Sequence, residues 1–193
     1  MYDKSLTHNV KKTYIIAVAA IILTAATACR PDKNKHQEQQ TATAAQTEQK
    51  QDGGDDSLTI SFTMTDINGK EINVTDEFAR HKITIVDFWA SWCGPCRQEM
   101  PSLVKTYNEY KDKGLGIVGV SLDEDREQWI NAVNSMGMEW TQLSDLQGWH
   151  NAAAQMYGIQ AIPFTVIVDN NGHVMAAGLR GEELAAFVAS RLK

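Results

Sequence analysis

The heptapeptide ITIVDFW at residues 83–89 limits the possible folds more than any other stretch. It is almost continuously apolar, and a strand that reads this way must be covered on both faces. Both faces are covered in a sheet sandwiched by helices, where parallel neighbours are joined by helical crossovers. The residues after the strand fit such a crossover. Met100, Leu103, Val104, Tyr107 and Tyr110 recur at helical spacing, so a helix is expected from Cys96 towards Lys113 and Gly114.

The remaining pattern extends the sheet. GIVGVSL at 116–122 predicts a second buried strand, and residues 123–137 predict a helix with Trp129, Val133 and Met136 on one face. A loop and a short helix around residues 150–157 come next. PFTVIVD at 163–169 predicts a strand, NNG a turn and HVMAAG a returning strand, before a last helix with Leu184, Phe187 and Val188 inward. Ahead of all this, LTISFTMTD and EINVTD alternate on either side of NGK and predict a hairpin. The expected class is α/β, a central mixed sheet flanked by helices, over residues 58–193.

The first 57 residues cannot contribute to that core. Lys4, Lys11 and Lys12 precede an uncharged apolar run at 13–28, which is the layout of a signal peptide (1–28). The run is short for a membrane span, so an uncleaved anchor helix is the weaker reading. Residues 30–57 contain no aromatic residue and no Leu, Ile or Val. Such a segment buries too little apolar surface to offset its ordering entropy, so 29–57 are expected to form a disordered tether. Cys29 stands directly after AATA, where the chain resembles a bacterial lipoprotein signal. That resemblance implies a lipidated Cys29, export, and attachment of the domain to a membrane.

Charge excludes one class of partner. The net charge of −6 leaves no basic face for phosphates, so nucleic acid is not expected. Removing residues 1–28 takes away three lysines and one aspartate, which makes the remainder more acidic.

Cys93 and Cys96 are then the chemistry-bearing pair. A structural zinc site needs four ligands, and after Cys29 only this pair and scattered histidines (His8, His36, His81, His150, His173) remain. No metal or cofactor is expected. A bridge across so small a loop would constrain the unfolded chain little, which argues against a structural staple. A redox pair fits better. Cys93 falls between the strand and the helix, where free N–H groups and the helix dipole stabilise a thiolate. Cys96 lies one turn further on, placed to attack Cys93 when Cys93 holds a mixed disulfide. Gly94 permits a tight entry, and Pro95 suits a first turn, where a missing N–H costs nothing. Asp87 is a lone acid in an apolar strand. Burial should raise its pKa, and its place behind the cysteines favours a role in proton transfer.

VDFWASWCGPC, at 86–96, resembles the thioredoxin superfamily, and in particular its exported, membrane-tethered TlpA/ResA-like thiol–disulfide oxidoreductases. The resemblance spans about residues 58–192 and implies a thioredoxin fold with an extra N-terminal hairpin. It implies that Cys93 is the nucleophile, Cys96 the resolving thiol, and Asp87 the acceptor of the Cys96 proton. Pro163 matches the family's cis-proline, which would present the backbone of Ile162 to an extended substrate. Glu99 matches an acid near the active-site cleft. Trp92 and Trp89, beside the pair, are expected to shield the disulfide and line the contact surface.

Gly94 and Pro95 bring no charge between the cysteines, and Ile162 resembles the reducing branch, so the expected activity is disulfide reduction in the periplasm or cell envelope. The resemblance implies a membrane thiol-transfer protein as electron donor and oxidised envelope proteins, among them apocytochromes c, as substrates. A thiol-dependent peroxidase is a rival reading, but the peroxiredoxin pattern P-x-x-x-T-x-x-C is missing. A non-catalytic module that docks chains along Ile162 and Pro163 is the other.

Overall fold

The computed structural model describes residues 58–193; the apolar leader, Cys29 and the polar segment to Ser57 lie outside the described residues. The described residues contain strands β1 (Thr63–Thr65), β2 (Glu71–Asn73), β3 (Ile83–Trp89), β4 (Leu115–Ser121), β5 (Thr141–Leu143), β6 (Phe164–Asp169) and β7 (Val174–Ala177). The helices are α1 (Val74–Phe78), α2 (Gly94–Tyr110), α3 (Arg126–Ser135), α4 (Ala152–Met156) and α5 (Gly181–Arg191).

Five strands form the central sheet in the order β5-β4-β3-β6-β7. β4 runs parallel to β3 and β5, whereas β6 runs antiparallel to both β3 and β7. This is the mixed sheet with helical crossovers that the pattern predicts. β3 lies at its centre with all seven residues buried, which is why its sequence shows no alternation.

Two local elements differ from the sequence reading. The hairpin is short: β1 and β2 pair over three residues each, and the chain turns into α1 at Val74 instead of continuing as strand. Asn73 causes that switch, because its side chain caps the helix by accepting the Thr75 N–H at 3.1 Å. β5 falls where the sequence pattern predicts a loop. With three residues, one of them the buried Gln142, it carries no periodic signal, and only pairing with β4 defines it. The short helix expected around residues 150–157 is present as α4, preceded by a 3-10 turn (Gly148–His150).

Helix α2 starts at Gly94, two residues earlier than the apolar spacing indicates, with Cys93 as its N-cap and Pro95 in the first turn. A 3-10 turn at Lys111–Lys113 continues it to Gly114, whose φ of 110° suits only glycine. Met100 and Leu103 are buried, with Val104, Tyr107 and Tyr110 packed against the core. No helix among the described residues is long and apolar enough to cross a membrane.

Candidate functional site: a dithiol at the start of helix α2

Strand β3 ends at Trp89 and helix α2 begins at Gly94, so the intervening residues turn sharply at the carboxyl end of the central strand. Two features pin that turn. The Cys93 N–H is bonded to Ala90 O at 3.1 Å, and the buried carboxylate of Asp123, just past β4, holds Ser91. Asp123 accepts the Ser91 N–H at 3.0 Å and the Ser91 hydroxyl at 2.5 Å, together with the Ser121 hydroxyl at 2.7 Å. The sequence reading missed Asp123. Its only signal was position, an acid at the carboxyl end of a parallel strand, where sites in such sheets collect.

Cys93 and Cys96 are joined by a disulfide, and both are buried, at 5% and 1% exposure. The Cys96 N–H points at the Cys93 sulfur from 3.2 Å, so the free donor of the first helical turn is aimed at that atom. Gly94 and Pro95 lie exposed over the bridge. The Ile162–Pro163 peptide bond is cis, and Ile162 O is 3.8 Å from the Cys93 sulfur. The backbone ahead of β6 therefore faces the disulfide, as the resemblance implies.

Beneath the disulfide a narrow cleft is lined by Asp87, Cys96, Glu99, Pro163, Thr165 and Gly181, among others. Its open volume is about 10 Å³, roughly the room that one water needs. Asp87 lies within β3 between Gly119 and Thr165 and is 3% exposed. Burial pushes its carboxyl up to about 7; the nearby Glu99 charge adds to the rise and Arg180 opposes it. A group poised there exchanges a proton readily near neutral pH.

Glu99 is not a loose surface acid. Oε2 takes the Arg180 Nε–H at 2.9 Å and Oε1 takes the Gly181 N–H at 2.8 Å, which ties α2 to the first residue of α5. Arg180 had no signal in the sequence, because it lies 81 residues from its partner.

The two tryptophans divide. Trp92 is 53% exposed beside Cys93, whereas Trp89 is fully buried and donates its Nε1–H to Gln142 Oε1 at 3.2 Å. The expectation that Trp89 lines the contact surface is therefore corrected: it packs inside the sheet. Gly119 makes room for this pair, since a Cβ there would collide with Gln142 Oε1.

The Redoxin family model matches residues 40–186. The chain belongs to that family. Within it, the chain is a TlpA/ResA-like member of the thioredoxin superfamily. It is 32% identical over 115 residues to the thiol–disulfide oxidoreductase ResA of Bacillus thuringiensis (strain Al Hakam), covering 60% of this chain and 64% of that protein. The chain thus spans somewhat less than two thirds of that relative. The thioredoxin domain of a thiol–disulfide oxidoreductase from Bacteroides vulgatus superposes with a TM-score of 0.64 at 34% identity, covering 71% of this chain and 96% of that one. A putative thiol:disulfide interchange protein DsbE from Chlorobium tepidum gives 0.62 at 27% identity, covering 72% and 99%. This redoxin thus shares its fold with proteins named for thiol–disulfide exchange.

Proposed function

We propose that this redoxin is a thiol–disulfide oxidoreductase that works as a disulfide reductase in the cell envelope. The observation that carries the reading is the Cys93–Cys96 bridge at the head of α2, with the Cys96 N–H aimed at the Cys93 sulfur. The bridge is the oxidised end of the cycle. In the reduced protein the Cys93 thiolate attacks a substrate disulfide, forming a mixed disulfide and expelling one substrate thiolate. Cys96 then gives its proton to the Asp87 carboxylate in the same cleft and attacks the Cys93 sulfur. The second substrate thiolate leaves, and two electrons have passed to the substrate as the Cys93–Cys96 bond forms. A dithiol donor, a membrane thiol-transfer protein, reverses the bridge.

Substrate backbone runs beside Ile162 and cis-Pro163, with Trp92, Gly94 and Pro95 on the other side of the disulfide. Glu99 acts through Asp87, since its charge adds to the rise of the Asp87 pKa. Oxidised envelope proteins, among them apocytochromes c, are the substrates in this reading. Signal cleavage after residue 28 and lipidation of Cys29 would leave the domain, 58–193, on a tether at the membrane. Uncharged Gly94 and Pro95 support the reducing direction.

Trapping tests the reading. The Cys96→Ala protein, expressed in the envelope, is expected to accumulate mixed disulfides through Cys93, and mass spectrometry then names the partners. Absence of any trapped protein, together with failure of the reduced wild type to cleave insulin disulfides, would overturn it.

A further inference from the structure

Four large hydrophobic side chains are exposed among the described residues: Leu58, Trp92, Trp149 and Met156. Two of them touch. The Trp92 and Trp149 rings lie 6.4 Å apart between centroids at 55°, with 53% and 42% of each residue exposed. Trp92 adjoins Cys93, but Trp149 comes from the 3-10 turn between β5 and α4, far along the chain. Half-exposed tryptophans leave much apolar area in water, and a paired placement beside a reactive disulfide does nothing for the core.

The turn that carries Trp149 is built to hold it still. Asp145 accepts from Gln147 N at 3.2 Å, Asn151 Nδ2 at 2.9 Å and Ala152 N at 2.8 Å. Gln155 Nε2 donates to Trp149 O at 2.7 Å. Gly148 has φ of 57°, and a Cβ there would lie 2.5 Å from Glu124 Oε1, so the turn sits tightly against the chain after β4. A rigid aromatic anchor loses little entropy when it is covered.

From this geometry we infer that Trp149 is a specificity-determining residue: with Trp92 it forms a platform that receives a large apolar or aromatic side chain flanking the substrate cysteine. The inference rests on the thiol–disulfide reading and adds the class of sequence that reading would favour. An apolar occupant fits better than a cationic one for two reasons. The Asp145 carboxylate is already engaged by three donors within the turn. The Arg97 guanidinium donates to Ser91 O at 3.4 Å and so holds positive charge at the residue that precedes Trp92 in the chain. Because Trp92 directly precedes Cys93 and meets Trp149, a residue flanking the substrate cysteine has these rings within reach.

The test uses Cys93 thiol exchange in the Cys96→Ala protein with homodisulfides of short peptides. In this exchange Cys93 bonds one peptide sulfur and releases the other peptide as a thiolate. The peptides differ only in whether Phe, Ser or Lys flanks the cysteine. The Phe peptide is expected to form its mixed disulfide about tenfold more favourably than the Ser peptide, the scale of one aromatic contact. Trp149→Ala should bring that ratio close to one, and Trp149→Phe should keep most of it. Trp149→Glu, which places a carboxylate on the same turn, should turn the preference towards the Lys peptide. A merely structural role would lower all the exchanges together and leave the ratio unchanged. A ratio near one in the parent, or a ratio that Trp149→Ala and Trp149→Glu both leave alone, overturns the inference. If the ratio behaves as stated while wild type fails to reduce insulin, the reductase reading falls and the platform stands.

Discussion

The backbone N–H of Cys96 points at the sulfur of Cys93 from 3.2 Å, across the bond that joins the two residues. Once the bridge is reduced, the same donor and the dipole of a seventeen-residue helix favour negative charge on Cys93 and offer nothing comparable to Cys96. Reduced protein is therefore expected to be alkylated at Cys93 well before Cys96 at neutral pH, as peptide mapping after a short iodoacetamide pulse would read. Pro95→His adds a partial positive charge beside that sulfur. It should raise the reduction potential by about 30 mV or more, towards the oxidising end of the scale. A wild-type potential near about −120 mV in equilibrium with glutathione would reverse the proposed direction of electron flow.

Asp87 should leave a mark on stability as well as on rate. Its carboxyl rises from 3.8 to about 7 on folding, chiefly through burial. Between those values the folded chain keeps a proton that the unfolded chain has lost, so the protein loses stability as pH rises through the window. The loss is complete above about pH 7 and amounts to something on the order of 4 kcal/mol at 1.36 kcal/mol per pKa unit. Asp87→Asn cannot titrate. The oxidised variant should therefore gain on wild type as pH rises from 3.8 to about 7 in urea unfolding, while its release of substrate from the mixed disulfide slows. A stability difference that is flat with pH would show that Asp87 does not titrate in this range.

Glu99 and Arg180 should act on the same proton in opposite directions. Glu99 raises the Asp87 pKa and Arg180 lowers it. Glu99→Gln keeps the cap on Gly181 in outline and should move the pH midpoint of mixed-disulfide resolution to lower pH. Arg180→Ala should move it higher. Each variant should lose about 1 kcal/mol of stability or less, since the ion pair is half-exposed on the Arg180 side. Stopped-flow resolution rates across pH would show both shifts, and equal midpoints in the two variants would contradict the coupling.

Anchoring is expected to depend on Cys29. Cys29→Ser should abolish incorporation of a fatty-acid label and block signal cleavage, which metabolic labelling and the mass of the mature product would show. Label retained in that variant, or a mature chain beginning elsewhere, would exclude the lipoprotein reading.

Much of this protein was legible in its sequence because the decisive signals are local. The helix N-terminus at Cys93, the two-residue spacing to Cys96 and the apolar run around Asp87 each lie within a few residues, and short-range sterics and periodicity govern them. The central strand was legible for the same reason. Its burial on both faces, however, removed the alternation that would have told which way Trp89 points, and the ring went inward to Gln142. β5 and α1 are too short to carry a period, so pairing with β4 and the Asn73 cap define them instead.

The rest was decided by tertiary structure alone. Ile162 O reaches the Cys93 sulfur across 69 residues, Glu99 reaches Gly181 across 82, and Trp149 meets Trp92 from another crossover. None of these pairs has a local signature, since each exists only because the order β5-β4-β3-β6-β7 brings distant segments together around the central strand β3 and the helix that follows it. Sequence by itself determined which atoms can exchange a disulfide. The sheet order, chosen by burying whole faces rather than by any single contact, determined what stands around them.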